Sequence, residues 1–254
     1  MMRPCVLALA VLAALALPAR ALDLALCVDK NDWAPYTFAA RDGTLQVLAR
    51  MAAARGGDKI GFVALPWKRC QAEVAAGKLQ GMVGAADIDD ALHLYAYPHL
   101  NGRLDSSRAL QSTSIVLVRR TGSSVGWDGN VITGLKGPVL YVLGYDDVAD
   151  HLRQRGLNLV DGGANNNELN ADKIMAGRAS MMAIYDNDAR LLVARPEYRG
   201  KLEILAPPLG VNDYYLAFNR HYYDSHSEQV ERFWTDMRSL RQSAAYRDAV
   251  KNIR

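Results

Sequence analysis

Three short stretches bring together side chains able to hold a small solute. They read Asp29-Lys30-Asn31-Asp32-Trp33-Ala34-Pro35-Tyr36, Leu65-Pro66-Trp67-Lys68-Arg69-Cys70 and Gly84-Ala85-Ala86-Asp87. Trp33, Tyr36 and Trp67 offer apolar area and π faces, and Arg69 and Asp87 supply opposite charges. Taken singly, each aromatic is equally well explained by core packing. Their shared position sets them apart, because each stretch follows an extended apolar run. In open α/β sheets the carboxyl edge of the strands is where ligands sit, and helix N-termini there present N–H groups to anions. Signs of catalysis are sparse. Glu73 or Asp87 in a cleft is a candidate general acid, but Glu73 falls on a helical run, where a solvated carboxylate is the ordinary outcome. Neither a Gly-x-Ser-x-Gly element nor a glycine-rich phosphate loop occurs. The five histidines are scattered and no Cys/His cluster has metal-ligand spacing, so no metal or other cofactor is expected.

The elements that must position these groups follow from periodicity. Residues 22–28 alternate apolar and other positions and predict a strand; 45–55, rich in alanine and leucine and stopped by Gly56-Gly57, predicts a helix. A strand over 60–65, a helix over 68–76 and a short buried strand over 81–85 complete β-α-β-α-β, the pattern of a mostly parallel open sheet. A second such set is predicted from strand 139–143, helix 146–155, strand 157–160, helix 168–176, strand 180–184 and helix 187–194. Two β-branched or aromatic runs, 113–119 and 213–219, flank that second set and are expected to cross between two lobes. The final helices, 225–240 and 243–253, have apolar residues at helical spacing but no sheet of their own. They are expected to pack on the first lobe. The expected architecture is α/β with two lobes and a two-strand hinge, residues 22–113 plus 217–254 forming lobe 1 and 114–216 lobe 2.

Charge and the first residues narrow the setting. Arg3, an apolar run over 6–17 and Ala19-Arg20-Ala21 have the layout of a cleaved export signal, so residues 1–21 are expected to be removed. That run is shorter than the roughly 20 residues of a membrane-spanning helix. Cleavage would remove two of the 30 basic residues and none of the 27 acidic ones, leaving about +1. So balanced a chain, without a basic run, is not expected to bind nucleic acid. Cys27 and Cys70 are expected to form a disulfide in an oxidising compartment, two separate buried thiols being the alternative.

The order of the aromatic-Pro-aromatic loop, Asp42-Gly43, the Pro66-Trp67-Lys68-Arg69-Cys70 strand end and Glu73-x-x-x-Gly77-x-x-x-Gly81 resembles the family 3 extracellular solute-binding proteins. The nearest likeness is to a proteobacterial branch with a Trp-x-Arg-Cys element, and it extends through Tyr97-Pro98, Trp127-Asp128-Gly129, Gly144-Tyr145, Lys173-x-x-x-Gly177-Arg178 and the terminal helices. The resemblance implies a periplasmic binding protein-like (type II) clamshell. Such a protein closes on a small molecule, typically an amino acid, and delivers it to the membrane subunits of an ABC importer, the binder itself being a monomer. It assigns Trp33 and Tyr36 to an aromatic wall, Trp67 and Arg69 to first-lobe contacts, Ala85-Ala86 to backbone contacts and Gly144-Tyr145 to a helix start offering N–H groups. Asp186 lies one residue beyond the family's frequent amine-binding carboxylate. Where amino-acid binders of the family have an arginine for the ligand carboxylate, this chain has Ala91-Leu92-His93, and leucine cannot form that bidentate pair. Two other readings share the fold: a periplasmic dehydratase-like enzyme, and an exported sensor that docks to a membrane receptor.

Overall fold

The computed structural model describes residues 21–87, 93–157 and 164–253. Residues 1–20 of the expected export signal, most of the 157–160 strand and Ala91-Leu92 lie outside the described residues. Strand β1 (Asp23–Asp29) starts the chain, followed by α1 (Thr44–Gly56), β2 (Lys59–Leu65), α2 (Trp67–Ala75) and β3 (Gly81–Ala86). Short pairings follow: β4 (Tyr95–Ala96), the β5 (His99–Leu100) and β6 (Arg103–Leu104) hairpin, then the long β7 (Gln111–Arg120). The hairpin β8 (Gly126–Trp127) and β9 (Ile132–Thr133) leads to β10 (Val139–Leu140), α3 (Asp146–Arg153), α4 (Asn167–Met175), β11 (Met181–Tyr185) and α5 (Asp186–Ala194). The chain closes with β12 (Leu202–Asn219), α6 (Arg220–Ser225), α7 (Ser227–Arg241) and α8 (Ala244–Val250).

One mixed sheet runs in the order β10-β11-β7-β12-β3-β1-β2, with β4 pairing β12. β1 is parallel to both β2 and β3, and β10 is parallel to β11. The antiparallel β7 and β12 join these two parallel portions: β12 pairs with β7 along Leu202–Tyr214 and with β3 from Tyr214 onward. The sequence places this last strand at 213–219, 11 residues later than it begins. Pro207, Pro208 and Gly210 read as a break, yet the strand bulges between Leu205 and Gly210, which takes the prolines out of the ladder where they cannot donate. The 139–143 strand is shorter than expected for the opposite reason. Among the described residues β10 pairs with β11 alone, and past Leu140 the chain turns so that Tyr145 N–H donates to Val142 O at 3.0 Å.

The apolar stripe of α7 (Val230, Phe233, Trp234, Met237, Leu240) is buried. Trp234 Nε1–H donates to Leu216 O at 2.8 Å, Arg232 holds Asp58 at 2.7 Å, and Tyr246 OH donates to Thr44 O at 3.1 Å, so the terminal helices are fixed to β12 and α1. Cys27 on β1 and Cys70 on α2 form a disulfide with Cα atoms 5.7 Å apart. Among the described residues no helix is long and apolar enough to cross a membrane.

Candidate functional site

The carboxyl ends of β1 and β3 open onto a cavity whose opposite wall comes from α3, β11 and β12. Space for the centre of a water-sized sphere amounts to about 40 Å³. Asp29, the last residue of β1, and Asp147, in the first turn of α3, both face it, together with Trp33, Trp67, Tyr145 and Tyr185. The loop after β1 is held by its own backbone: Trp33 N–H donates to Thr37 O at 2.9 Å and Thr37 N–H returns to Trp33 O at 3.0 Å. Gly43 makes that loop possible, since a Cβ there would lie 2.3 Å from the Tyr36 carbonyl oxygen. The first N–H groups of α1, at Thr44 and Leu45, donate to Pro35 O and Tyr36 O. They are thereby spent, and this helix start does not serve an anion.

Trp33 is the centre of the aromatic wall, with ring centroids 4.7 Å from Tyr36, 5.0 Å from Tyr214 and 5.5 Å from Tyr185. Tyr145 stacks on Tyr185 at 5.3 Å. Gly84 leaves room for this wall: a Cβ there would stand 3.1 Å from the Trp33 ring, and its φ of +84° suits glycine. Across the cavity, Trp33 Nε1–H donates to Asn187 Oδ1 at 3.3 Å and Asn187 Nδ2 donates to Ala34 O at 3.0 Å, tying the first loop to the start of α5. Asn31 Nδ2–H donates to Asn165 O at 2.8 Å, and Lys68 pairs with Asp146.

Both carboxylates are buried, each 8% exposed. Asp147 accepts from Tyr214 OH at 2.7 Å, Tyr185 OH at 3.1 Å and Asn212 Nδ2 at 3.2 Å; Asp29 accepts from Asn31 N–H at 3.0 Å and Tyr145 OH at 3.1 Å. Among the described residues neither makes an ion pair. Burial raises both carboxyl pKa values, more than these hydrogen bonds lower them, and burial together with the neighbouring carboxylates pushes the three phenols well above their ordinary value.

Of the residues expected from the sequence, Trp33, Trp67, Ala85, Ala86 and Tyr145 line this cavity. Tyr36 stands behind Trp33. Arg69 does not join them: its side chain is 67% exposed and lies 3.4 Å from Glu73 on the same helix. Asp87 borders a separate depression with Asp213 and Tyr215. Gly144 packs against the Lys68 methylenes, and Asp186 pairs with Arg190 at 2.7 Å on α5. Asp147, Tyr185, Tyr214 and Asn187 escaped the sequence reading. Tyr185 ends a buried strand, so the carboxyl-edge rule had the means to find it; Tyr214 and Asp147 carry no such local signal.

A second, more polar recess of about 340 Å³, measured in the same way, lies beyond Tyr145 between Lys30–Asp32 and the starts of α4 and α5. Its Asp188 carboxyl is pushed up to about 7 by burial and by the Glu168 carboxylate, against donation from Asn167. The folded state therefore holds this proton more tightly than the unfolded chain, and the group subtracts stability as pH rises from about 4 to 7. Asp188→Asn is expected to raise the melting temperature more at pH 8 than at pH 5. Equal gains at both pH values, by scanning calorimetry, would refute this.

With the geometry described, the chain is assigned to the periplasmic binding protein-like fold. Solved structures similar to it include a substrate-binding protein of an amino acid ABC transporter (14% identity, TM-score 0.68, covering 91% of this chain and 98% of that one). An ancestral arginine-binding protein bound to arginine is similar at 15% identity and TM-score 0.69, over 92% and 99% of the two chains. A histidine kinase sensor domain with similarity to periplasmic binding proteins superposes with TM-score 0.70 at 16% identity, over 91% and 95%. No protein-family model and no curated protein matches the sequence. At these identities the likeness establishes the fold.

Proposed function

We propose that this chain captures a small polar solute without transforming it, by closing two lobes around the cavity, and hands it to an ABC importer. The observation that carries this reading is the origin of the cavity walls. Trp33, Trp67 and Ala85-Ala86 come from the first α/β set, and Tyr145, Asp147 and Tyr185 from the second, with β7 and β12 as the two strands passing between them. In this reading residues 22–113 and 217–254 form one lobe, 114–216 the other, and a ligand gains contacts to both only on closure. Trp33, Trp67, Ala85, Ala86 and Tyr145 contact the solute, with Tyr36 supporting Trp33. Residues 1–21 direct export to the periplasm, where the mature protein acts as a monomer. The substrate-binding protein among its structural neighbours supports the importer as partner.

A thermal-shift screen against a solute library tests this reading. A true ligand at 100 times its Kd adds about 2.7 kcal/mol of stability, and mass spectrometry finds the hit chemically unchanged. A library that produces no shift in any chemical class would remove the reading, and turnover of the hit would replace it with an enzyme. The sensor domain among the structural neighbours favours a second reading, in which the closed form docks to a membrane receptor. A pull-down from solubilised membranes in the presence of the hit separates receptor from importer.

A further inference from the structure

Every charged side chain on the cavity lining is acidic. Asp29 and Asp147 are buried there, and among the described residues neither makes an ion pair and no lysine, arginine or histidine lines the cavity. Most of the phenol and indole donors on the lining are already engaged. Tyr145 OH serves Asp29, Tyr185 and Tyr214 serve Asp147, Tyr97 OH donates to Ala86 O at 2.8 Å, and the Trp33 indole N–H is taken by Asn187. Thr37 and Gln71 are the other polar side chains on the lining, and both are uncharged. The lining thus offers a ligand two carboxylates, the π faces of tryptophan and tyrosine, and the uncharged Thr37, Gln71 and Trp67 polar groups. That combination attracts N–H donors and positive charge, and it repels a carboxylate.

Size adds a second restriction. Space of about 40 Å³ for the centre of a water-sized sphere corresponds to a void roughly 7 Å from wall to wall if it is near spherical. A charged group of a few heavy atoms fills it. Resting on the solute-binding reading above, we infer that the ligand is a small organic cation, an amine or quaternary ammonium without a carboxylate. Its charged nitrogen sits between Asp29 and Asp147, against Trp33 and the stacked Tyr145 and Tyr185 rings. The buried carboxylates, hydrogen-bonded but without an ion pair, then have a purpose: they are held in the apo protein at a cost in stability and find their counter-ion in the ligand.

The test uses the purified protein with tetramethylammonium and ethylammonium chloride as cationic probes, succinate and L-glutamate as anionic and zwitterionic probes, and glucose as a neutral one. Sodium chloride at matched ionic strength is the control. The expected result is a rise in melting temperature with the ammonium probes alone. Calorimetric titration of Asp147→Asn and of Asp29→Asn is expected to show Kd weakened about 30-fold or more, as removal of one member of a buried charge pair does, while the apo melting temperature stays level or rises. Two variants are used so that a folding failure of either leaves the other as the test. If succinate or glutamate stabilises the wild type and Asp147→Asn alike while the ammonium probes do nothing, the cation inference is wrong and the solute-binding reading survives. If no probe and no member of the wider library shifts the protein, both fall together.

Discussion

Trp33→Ala is expected to lower the unfolding free energy by about 3–5 kcal/mol, the range for truncating a buried large aromatic, and to abolish any ligand-induced stabilisation. The indole is 7% exposed. Its loss leaves Tyr36, Tyr185 and Tyr214 without the ring they pack on, leaves Asn187 without its donor, and opens space beside Gly84. One side chain thus links the loop after β1, the end of β11 and the far part of β12. Arg69→Ala provides the contrast. With its side chain 67% exposed and, among the described residues, its charged contact on the same helix, it is expected to change stability by no more than about 0.5 kcal/mol and to leave the ligand shift intact. Urea unfolding and thermal shift on the pair decide the matter. Equal effects from the two variants, or a lost ligand shift in Arg69→Ala, would show that the cavity around Trp33 is not the binding site.

Removing the disulfide with Cys27→Ala and Cys70→Ala together is the other large effect. The two residues are 43 apart in sequence, and the loop-entropy relation gives a loss of about 4 kcal/mol for a cross-link of that span. For a chain of this size that corresponds to a fall in melting temperature of roughly 8–16 °C. Both sulfurs are fully buried among Val74, Met82 and Ala85, so the alanines also leave a small void, which adds to the loss in the same direction. The bond ties β1 to α2, the elements that carry Asp29 and Trp67 to the cavity. Ligand affinity is therefore expected to fall as well, though by less than in Trp33→Ala. Denaturant titration showing a loss below about 1 kcal/mol would mean that the cross-link contributes little beyond the core it lies in.

Much of the architecture was readable along the chain, and the reason is local. The first β-α-β-α-β set is bounded by Gly56-Gly57, Pro66 and Gly77, and its apolar periods are short-range properties that survive folding unchanged. The parts read less well are those where pairing decides. Pro207-Pro208 within a strand is intelligible once the bulge opposite β7 is seen, and β10 ends where the chain turns at Val142–Tyr145. The hairpins β5–β6 and β8–β9 consist of two-residue strands that no periodicity can announce.

The sequence by itself determined the α/β class, the nearly balanced charge, the cysteine pair and the aromatic loop after the first strand. Each of these depends on residue type and near neighbours. Tertiary structure alone decided which aromatics and acids share a space, since Asp29, Asp147, Tyr185 and Tyr214 are brought together by β7 and β12 crossing the middle of the sheet. It also turned Arg69 away, because the helical phase of α2 points Cys70 into the core and its neighbour outward. Charge at a site is a sum over residues remote in sequence, which is why its acidic character became visible only with the fold.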